Sequence, residues 1–331
     1  MTDEQNNTNI EQRKLSFAGV WNLVKATFGG FVDDKITKLS ASLAYYTLFS
    51  MGPLLVLIIS LCGLFFEREA IEGEVYSVLQ DFVGQDTAAQ LQEIIKNASI
   101  TGQSATAATI GLVVLVIGAT SVFAEIQDSI NSIWGLKAKP KHGWLKMIQN
   151  RFLSFSVIIS LGFLLLVSLA VTGIIEGLSN GLQERFPQVA VVLFYIVNLL
   201  LTFGISMLIF AVIFKVLPDA KIKWRDVMAG AFITALLFIA GKFGISLYIS
   251  KTKVGSTYGA AGSLVVLISW VYYSSMILYL GAEFTKAYAI AYGSQIHPND
   301  YAVTVKQVEV ETGKATIQKN EKVADSIKTA N

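Results

Sequence analysis

Six apolar runs, each long enough to cross a lipid bilayer as a helix, dominate this sequence. They cover residues 40–66, 106–125, 152–175, 189–214, 227–250 and 260–284. A bilayer core about 30 Å thick needs about 20 apolar residues in a helix, whereas a barrel strand alternates apolar with polar residues, which these runs do not. Because lipid offers no hydrogen-bond partner to the backbone, the runs predict an all-α integral membrane bundle of about six transmembrane helices.

The composition excludes several other classes of protein. Hydrophobic residues make up 53% of the chain and charged residues 15%, against about 25% charged residues in soluble domains. The net charge of +2 is small and the basic residues are spread over several loops, so nucleic acid is not an expected partner. The lone cysteine, Cys62, excludes an intrachain disulfide. We expect no secretory signal peptide, because the first 38 residues lack a short apolar stretch with a cleavage site.

Lysines and arginines predict the orientation of the bundle. They are sparse in the first, third and fifth connections between the runs and frequent in three other segments: Arg13, Lys14, Lys25, Lys35 and Lys38; Lys137, Lys139, Lys141, Lys146 and Arg151; Lys215, Lys221, Lys223 and Arg225. By the positive-inside rule these three segments lie in the cytoplasm. With six crossings, both termini are therefore expected inside.

The chain divides into three parts. Residues 1–38 form a cytoplasmic segment in which Phe17, Trp21 and Phe28 recur at helical spacing, which suits either an interfacial helix or a helix packed on the loops of the bundle. Residues 39–292 form the six-helix domain, with amphipathic helices on its outer side at 67–99. Residues 293–331 lack sustained apolar periodicity and are predicted to be a disordered cytoplasmic tail.

Charged residues inside the runs are the first candidates for function, because charges in a bilayer are expensive. Lys242 lies within the fifth run, between Gly241 and Gly244. Its long side chain either reaches the outer headgroups or faces an internal cavity, where it would bind an anion or pair with Glu176, the candidate acidic partner on the outer side.

Glu125 and Glu283 lie near the cytoplasmic ends of the second and sixth runs. Each falls on one helical stripe of small residues, and the stripe of Glu283 passes through Gly259, Gly262 and Tyr273. Two interpretations stay open. The acids hydrate the inner interface and bond to helix ends, or they gate the inner mouth of a path and bind protons or cations.

Two further segments are candidate walls of such a path. The first run carries Ser42 and Tyr46 beside Pro53, which is expected to kink the helix, although such a kink is also common in packed transmembrane helices. Residues 255–263 are mostly small and precede the sixth run. They suit either a loosely wound helix start whose N–H groups face an anion, or a tight turn followed by close helix packing.

Enzymatic chemistry finds no support in the sequence. The two histidines, His142 and His297, lie outside the runs, so neither a histidine metal site nor a Ser-His-Asp arrangement can form at membrane depth. No nucleotide-binding loop of the G-x-x-x-x-G-K-[ST] type occurs. We expect no cofactor, no metal ion and no catalytic residue.

Three stretches of sequence, joined by GKFGISLYI (241–249), carry a resemblance: ASLAYYTLFSMGPLL (41–55), EIQDSINSIWG (125–135) and YGAAGSLVVLISWVYYSSMILYLGAEFT (258–285). In this order and spacing they resemble the YihY/BrkB family of bacterial inner-membrane proteins, once labelled ribonuclease BN. Several residues fit the family pattern without a role attached to them: Asn131, Trp134, Gly135, Lys242, Gly259, Gly281 and Glu283. The nuclease label is rejected on chemical grounds, because the chain offers no cluster of histidine and acidic metal ligands in water.

The resemblance implies a multi-pass protein of the bacterial cytoplasmic membrane, in a family with members associated with passage of lipid precursors or with serum resistance. Together with the charged residues, it predicts a transporter or translocase of lipids or envelope precursors with an anionic substrate. The alternative is a non-transporting envelope-assembly or scaffold protein that binds partners through its acidic outer helices. Membrane lipids are the expected partners, and a homo-oligomer is left open.

Overall fold

The computed structural model describes residues 16–62, 105–139, 187–252 and 262–305, with scattered positions between 72 and 93. Some of the predictions fall on other residues: the third run at 152–175, Glu176, Gly259 and the tail after residue 305. Most of the predicted outer segment at 67–99 also lies outside the described residues.

Helices make up most of the described chain and confirm the all-α fold. They are α1 (Phe17–Asp33), α2 (Ile36–Cys62), α3 (Ala105–Ile133), α4 (Pro187–Val216), α5 (Trp224–Thr252) and α6 (Gly262–Tyr292). Helices α2 to α6 coincide with the first, second, fourth, fifth and sixth apolar runs. Within the described ranges, four stretches are long and apolar enough to cross a membrane: Ile36–Val56, Leu199–Val216, Trp224–Ile245 and Leu264–Tyr292.

Helix α1 packs antiparallel to the end of α6 and turns sharply into α2. Its N-cap is Ser16, whose Oγ accepts a hydrogen bond from the Gly19 N–H at 3.1 Å. Lys35 adopts a positive φ of 52° in the turn between α1 and α2. Leu23 and Thr27 are buried, while the aromatic residues of α1 remain exposed, with Phe17 at 93%. Helix α1 therefore packs on α6 rather than on the loops of the bundle, and its aromatic face is uncovered.

Helix α2 packs against α3 and α6, and α5 packs against α4 and α6. Pro53 lies inside α2, at the contact with α3. A Cβ atom added at Gly118 of α3 would lie 2.9 Å from the Pro53 Cγ, so the proline ring occupies the space that this glycine leaves. Pro53 therefore packs directly on Gly118, and this small residue allows α2 and α3 to approach closely, as is common in membrane bundles.

The contact between α5 and α6 contains two glycine–threonine packing contacts, one in each direction. Thr285 of α6 sits over Gly230 of α5, and Thr234 of α5 sits over Gly281 of α6. Each threonine hydroxyl donates a 2.7 Å hydrogen bond to the carbonyl oxygen of the glycine four residues earlier on its own helix. Each polar group is thus satisfied within its helix, and the two helices approach closely.

Two short antiparallel sheets lie at one end of the bundle, which we call the capped end. At this end, α2 and α5 begin and α3, α4 and α6 end. Strand β1 (Leu136–Ala138) pairs with β4 (Ala302–Thr304), and β2 (Ala220–Lys221) pairs with β3 (His297–Pro298). The disordered tail predicted from residue 293 is therefore wrong for residues 297–304. These residues gain order from backbone pairing with two distant loops, which local composition does not reveal.

Candidate functional site

A cleft of about 790 Å³ opens at the capped end, between α1 and residues 283–292 of α6. This volume falls within the range of about 300–1,000 Å³ that is typical of small-molecule sites. Its charged lining residues are Asp33 of α1 and Glu283 and Lys286 of α6. Both helices also contribute apolar side chains: Leu23, Ala26, Ala287, Ile290 and Ala291.

Glu283, a residue singled out in the sequence, forms the buried floor of the cleft and is only 2% exposed. Its neighbour Lys286, one helical turn further along α6, donates a hydrogen bond to the Asp34 Oδ2 at 2.9 Å and one to the Glu283 Oε1 at 3.4 Å. Asp34 lies at the corner between α1 and α2. These three residues therefore fasten that corner to α6.

The two carboxyl groups of this cluster also contact each other. Burial raises the pKa of Asp34, but hydrogen bonds from Glu283 and Lys286, with the positive charge of Lys286, outweigh it and leave this pKa below its usual value.

Gly30 makes room for the Glu283 carboxyl group. A Cβ atom at Gly30 would lie 2.5 Å from the Glu283 Oε2 and 2.6 Å from its Cδ, so any side chain here displaces the carboxyl group. At the neighbouring Gly29, a Cβ atom would meet nothing within 4 Å. This difference between adjacent glycines marks Gly30 as a residue that shapes the site.

Asp34, Lys286 and Gly30 were not among the sequence candidates. The i, i+3 spacing of Glu283 and Lys286 on one helix was a usable signal for the ion pair. No local signal indicated Asp34 or Gly30, because both lie more than two hundred residues away from Glu283 in the chain.

Glu125 was predicted to lie at the same level as Glu283, and one of the two open interpretations gave both acids a role at the inner mouth of a path. Glu125 is half-buried on α3, where its charge acts on Tyr279 of α6, one turn away from Glu283. The acid that contacts Glu283 is Asp34, at the corner between α1 and α2. The joint role of the two glutamates stays a prediction.

The remaining sequence candidates lie on α2, α5 and α6. Lys242 is half-buried on α5, and the adjacent Gly241 packs against the Tyr273 ring, whose Cε1 would lie 2.9 Å from an added Cβ. The structure thus brings the Lys242 segment and Tyr273 together. Ser42 is half-buried on α2, and Gly262 is buried at the start of α6. Tyr46 is 41% exposed and packs edge to face on Tyr45.

A second polar cluster ties α3 to the loop after α4. The Asp219 carboxylate accepts hydrogen bonds from the Gln127 Nε2 at 3.1 Å and the Asn131 Nδ2 at 3.0 Å. The Asp219 backbone N–H donates to the Asn131 Oδ1 at 2.8 Å, and all three residues are buried. This buried network rigidifies the capped end beside the sheets. One of its atoms, the Gln127 Oε1, has no hydrogen-bond partner among the described residues.

No group of three or more histidine, cysteine, aspartate or glutamate side chains is arranged to hold a metal ion among the residues that the structure describes. The arrangement at the cleft can instead attract a cation or the cationic part of a headgroup, since carboxylates accept hydrogen bonds from ammonium groups.

Comparison with known proteins yields one family. The family described as Virulence factor BrkB matches residues 27–302. A UPF0761 membrane protein of Tolumonas auensis is 30% identical over 269 residues, which cover 76% of this chain and 80% of the relative.

Two further relatives give similar values. A UPF0761 membrane protein of Pseudoalteromonas translucida is 29% identical, over 77% of this chain and 81% of the relative. A UPF0761 membrane protein of Alteromonas mediterranea is 25% identical, over 83% of this chain and 92% of the relative. No solved structure matches the chain.

Proposed function

Because the chain belongs to the BrkB family of membrane proteins, we propose that it is a translocase that moves a lipid or envelope precursor with an anionic group across the bacterial inner membrane. The single observation that carries this proposal is the cleft between α1 and α6, whose lining combines charged and apolar side chains from both helices. An amphiphile needs both kinds of side chain, since its headgroup binds polar groups while its chains stay beside apolar ones.

The surface of α1 supports a position of this cleft at the boundary between headgroups and acyl chains. Phe17, Trp21 and Phe28 are exposed, and the exposed Lys25 lies on the same helix. Aromatic side chains and lysine together suit the membrane interface, where an apolar body and a charged tip are both accommodated. In this proposal the lysine-rich capped end faces the cytoplasm, so that the cleft opens to the inner leaflet.

The proposed path continues from the cleft along α6. Lys286 and Glu283 meet the headgroup at the inner mouth, and Tyr273 lies about 15 Å further along the helix, at 1.5 Å per residue. There Tyr273 packs against the segment of α5 that carries the half-buried Lys242. A cation at this depth supports passage of an anionic group, because a charge inside the bilayer is otherwise costly.

Lipid translocation in vesicles tests the proposal. The purified chain would be reconstituted into liposomes that contain a phospholipid with a fluorescent acyl chain, and dithionite would quench the label in the outer leaflet. We expect faster loss of the inner-leaflet signal than in protein-free vesicles. Gly30→Leu, which fills the space of the Glu283 carboxyl group, is expected to slow translocation. Gly29→Leu is the matched control, since its side chain meets open space.

The result that contradicts translocation is a folded, reconstituted protein whose vesicles lose signal no faster than empty ones. Equal rates in the wild type, Gly30→Leu and Lys242→Ala would instead remove the cleft and Lys242 from the path. A protein that moves no lipid but yields a stable cross-linked partner would support the alternative function, a scaffold for envelope assembly.

A further inference from the structure

The charges that line the cleft do not balance. Asp33 lines it from the end of α1, is exposed, and has no ion-pair partner among the described residues. Glu283 lines it from α6, and Asp34 lies beside it, where both carboxyl groups contact Lys286. Lys286 supplies the only positive charge among the described lining residues. Three carboxyl groups thus lie at the cleft for one ammonium group.

The single cation of the cleft is already neutralised. The Lys286 Nζ lies 2.9 Å from Asp34 and 3.4 Å from Glu283, and the lysine side chain is only 28% exposed. An incoming phosphate would have to compete with two acids for this ammonium group and would face Asp33 as well. An ammonium group instead meets Asp33, a carboxylate with no ion-pair partner among the described residues, and gains hydrogen bonds to its oxygens.

The apolar side of the cleft selects a lipid over a water-soluble amine. Leu23, Ala26 and Ile290 line this side. An amphiphile whose chains follow this surface buries apolar area that a small amine in water cannot.

We propose that the cleft binds the primary ammonium group of a zwitterionic phospholipid between Asp33 and Glu283, while the chains of the lipid follow the apolar side of the cleft. This inference rests on the proposed function, since a translocase needs a headgroup site, and it names the class of headgroup. The phosphodiester supplies the anionic group of the substrate and stays toward the mouth of the cleft, away from the carboxylates.

Native mass spectrometry of the full-length protein with equal amounts of phosphatidylethanolamine and phosphatidylglycerol tests this site. We expect retention of the ammonium lipid to exceed that of the anionic lipid about two- to fivefold, the range of one partly exposed ion pair. Asp33→Asn and Glu283→Gln are each expected to bring the ratio toward one. Asp300→Asn removes an exposed acid from the same end of the molecule and is expected to leave the ratio unchanged.

Phosphatidylcholine provides a second probe, because its headgroup has the same charge as phosphatidylethanolamine but no N–H donor. Weaker retention of phosphatidylcholine is expected from the wild type. Equal retention of all three lipids, or a preference that survives both Asp33→Asn and Glu283→Gln, overturns the proposal. Asp33 lies at an exposed helix end, so Asp33→Asn keeps the test decisive even where Glu283→Gln fails to fold.

The two proposals fail separately. Selective retention of phosphatidylethanolamine without translocation would uphold the site and contradict the translocase. Translocation at equal rates for all headgroups, without selective retention, would uphold the translocase and contradict the ammonium site.

Discussion

Helix α6 contacts α5 and α1 in two different ways. Toward α5 it offers Gly281 and Thr285, and the two helices approach until each threonine fills the space above a glycine. Toward α1 it offers Glu283 and Lys286, which line a cleft and form ion pairs. The α5 contact has no spare volume, whereas the α1 contact contains a site. The same helix thus supplies a fixed surface on one side and a polar, open surface on the other.

The largest expected effect lies at the α5 contact. Gly281→Ala would place a Cβ atom against Thr234, whose Cγ2 and Cβ lie 2.8 and 2.9 Å away, so the helices must separate. Such overpacking costs roughly 2–3 kcal/mol of unfolding free energy. Unfolding by dodecyl sulfate in detergent micelles would measure the loss.

Gly204→Ala is the control for this substitution, because a Cβ atom at Gly204 of α4 meets nothing within 4 Å. It is expected to stabilise the protein slightly, through helix propensity alone. An equal response of Gly281→Ala and Gly204→Ala would show that the α5 contact has room to spare.

The next effect concerns Lys286 at the α1 contact. Lys286→Ala leaves Asp34 and Glu283 without their cation, and we expect a loss of about 1–2 kcal/mol, since Lys286 and Asp34 are 28% and 29% exposed and their ion pair is screened by water. The same unfolding measurement detects it. Lys221→Ala breaks an exposed ion pair with Asp300 and is expected to change stability far less. A loss as large for Lys221→Ala would contradict the special role of the α1 contact.

Two adjacent glycines of α1 give a smaller effect. Gly29→Ala is expected to stabilise the protein through helix propensity, while Gly30→Ala gains the same propensity but displaces the Glu283 carboxyl group from its hydrogen bonds. The two variants should therefore differ by about 1 kcal/mol in unfolding free energy. Identical stabilities would mean that Glu283 adapts freely, as expected of a loose contact.

The smallest effect is a dependence on pH. The pKa of Asp34 is held below its usual value, so its ionised form favours the folded state. This contribution is present above the unfolded-state pKa of about 4 and is lost as the pH falls through the folded-state pKa. Melting temperatures of the wild type and Asp34→Asn are expected to converge as the pH falls from about 6 to 3. A gap that stays constant with pH would contradict the charged role of Asp34.

The helices were predictable because each apolar run must satisfy its own backbone hydrogen bonds in lipid, which favours a helix. The runs at 189–214 and 227–250 match α4 and α5 within three residues at each end. Glu283 was also identified correctly as an inward-facing acid, since it continues the small-residue stripe of its helix. These properties depend on residues within one helix.

The partners of that acid were not predictable in the same way. The depth of the residues along their helices placed Glu125 and Glu283 at one level, but it did not indicate that Asp34 and Gly30 contact Glu283. The strands at 297–304 were assigned to the tail for a similar reason, as their hydrogen-bond partners lie in loops far away in the chain. The spacing of residues along the sequence indicates how deep a residue lies in the membrane, but not which helix packs against it.

The amino-acid sequence alone specified a helical membrane protein and its charged positions, because an unpaired backbone in lipid is too costly for any other fold of these runs. The arrangement of the helices selected the site. One side of α6 packs tightly through glycine and threonine, and the other side opens on the cleft beside Asp33, Asp34 and Lys286. This difference depends on contacts between segments far apart in the chain, and these contacts form only when the helices pack.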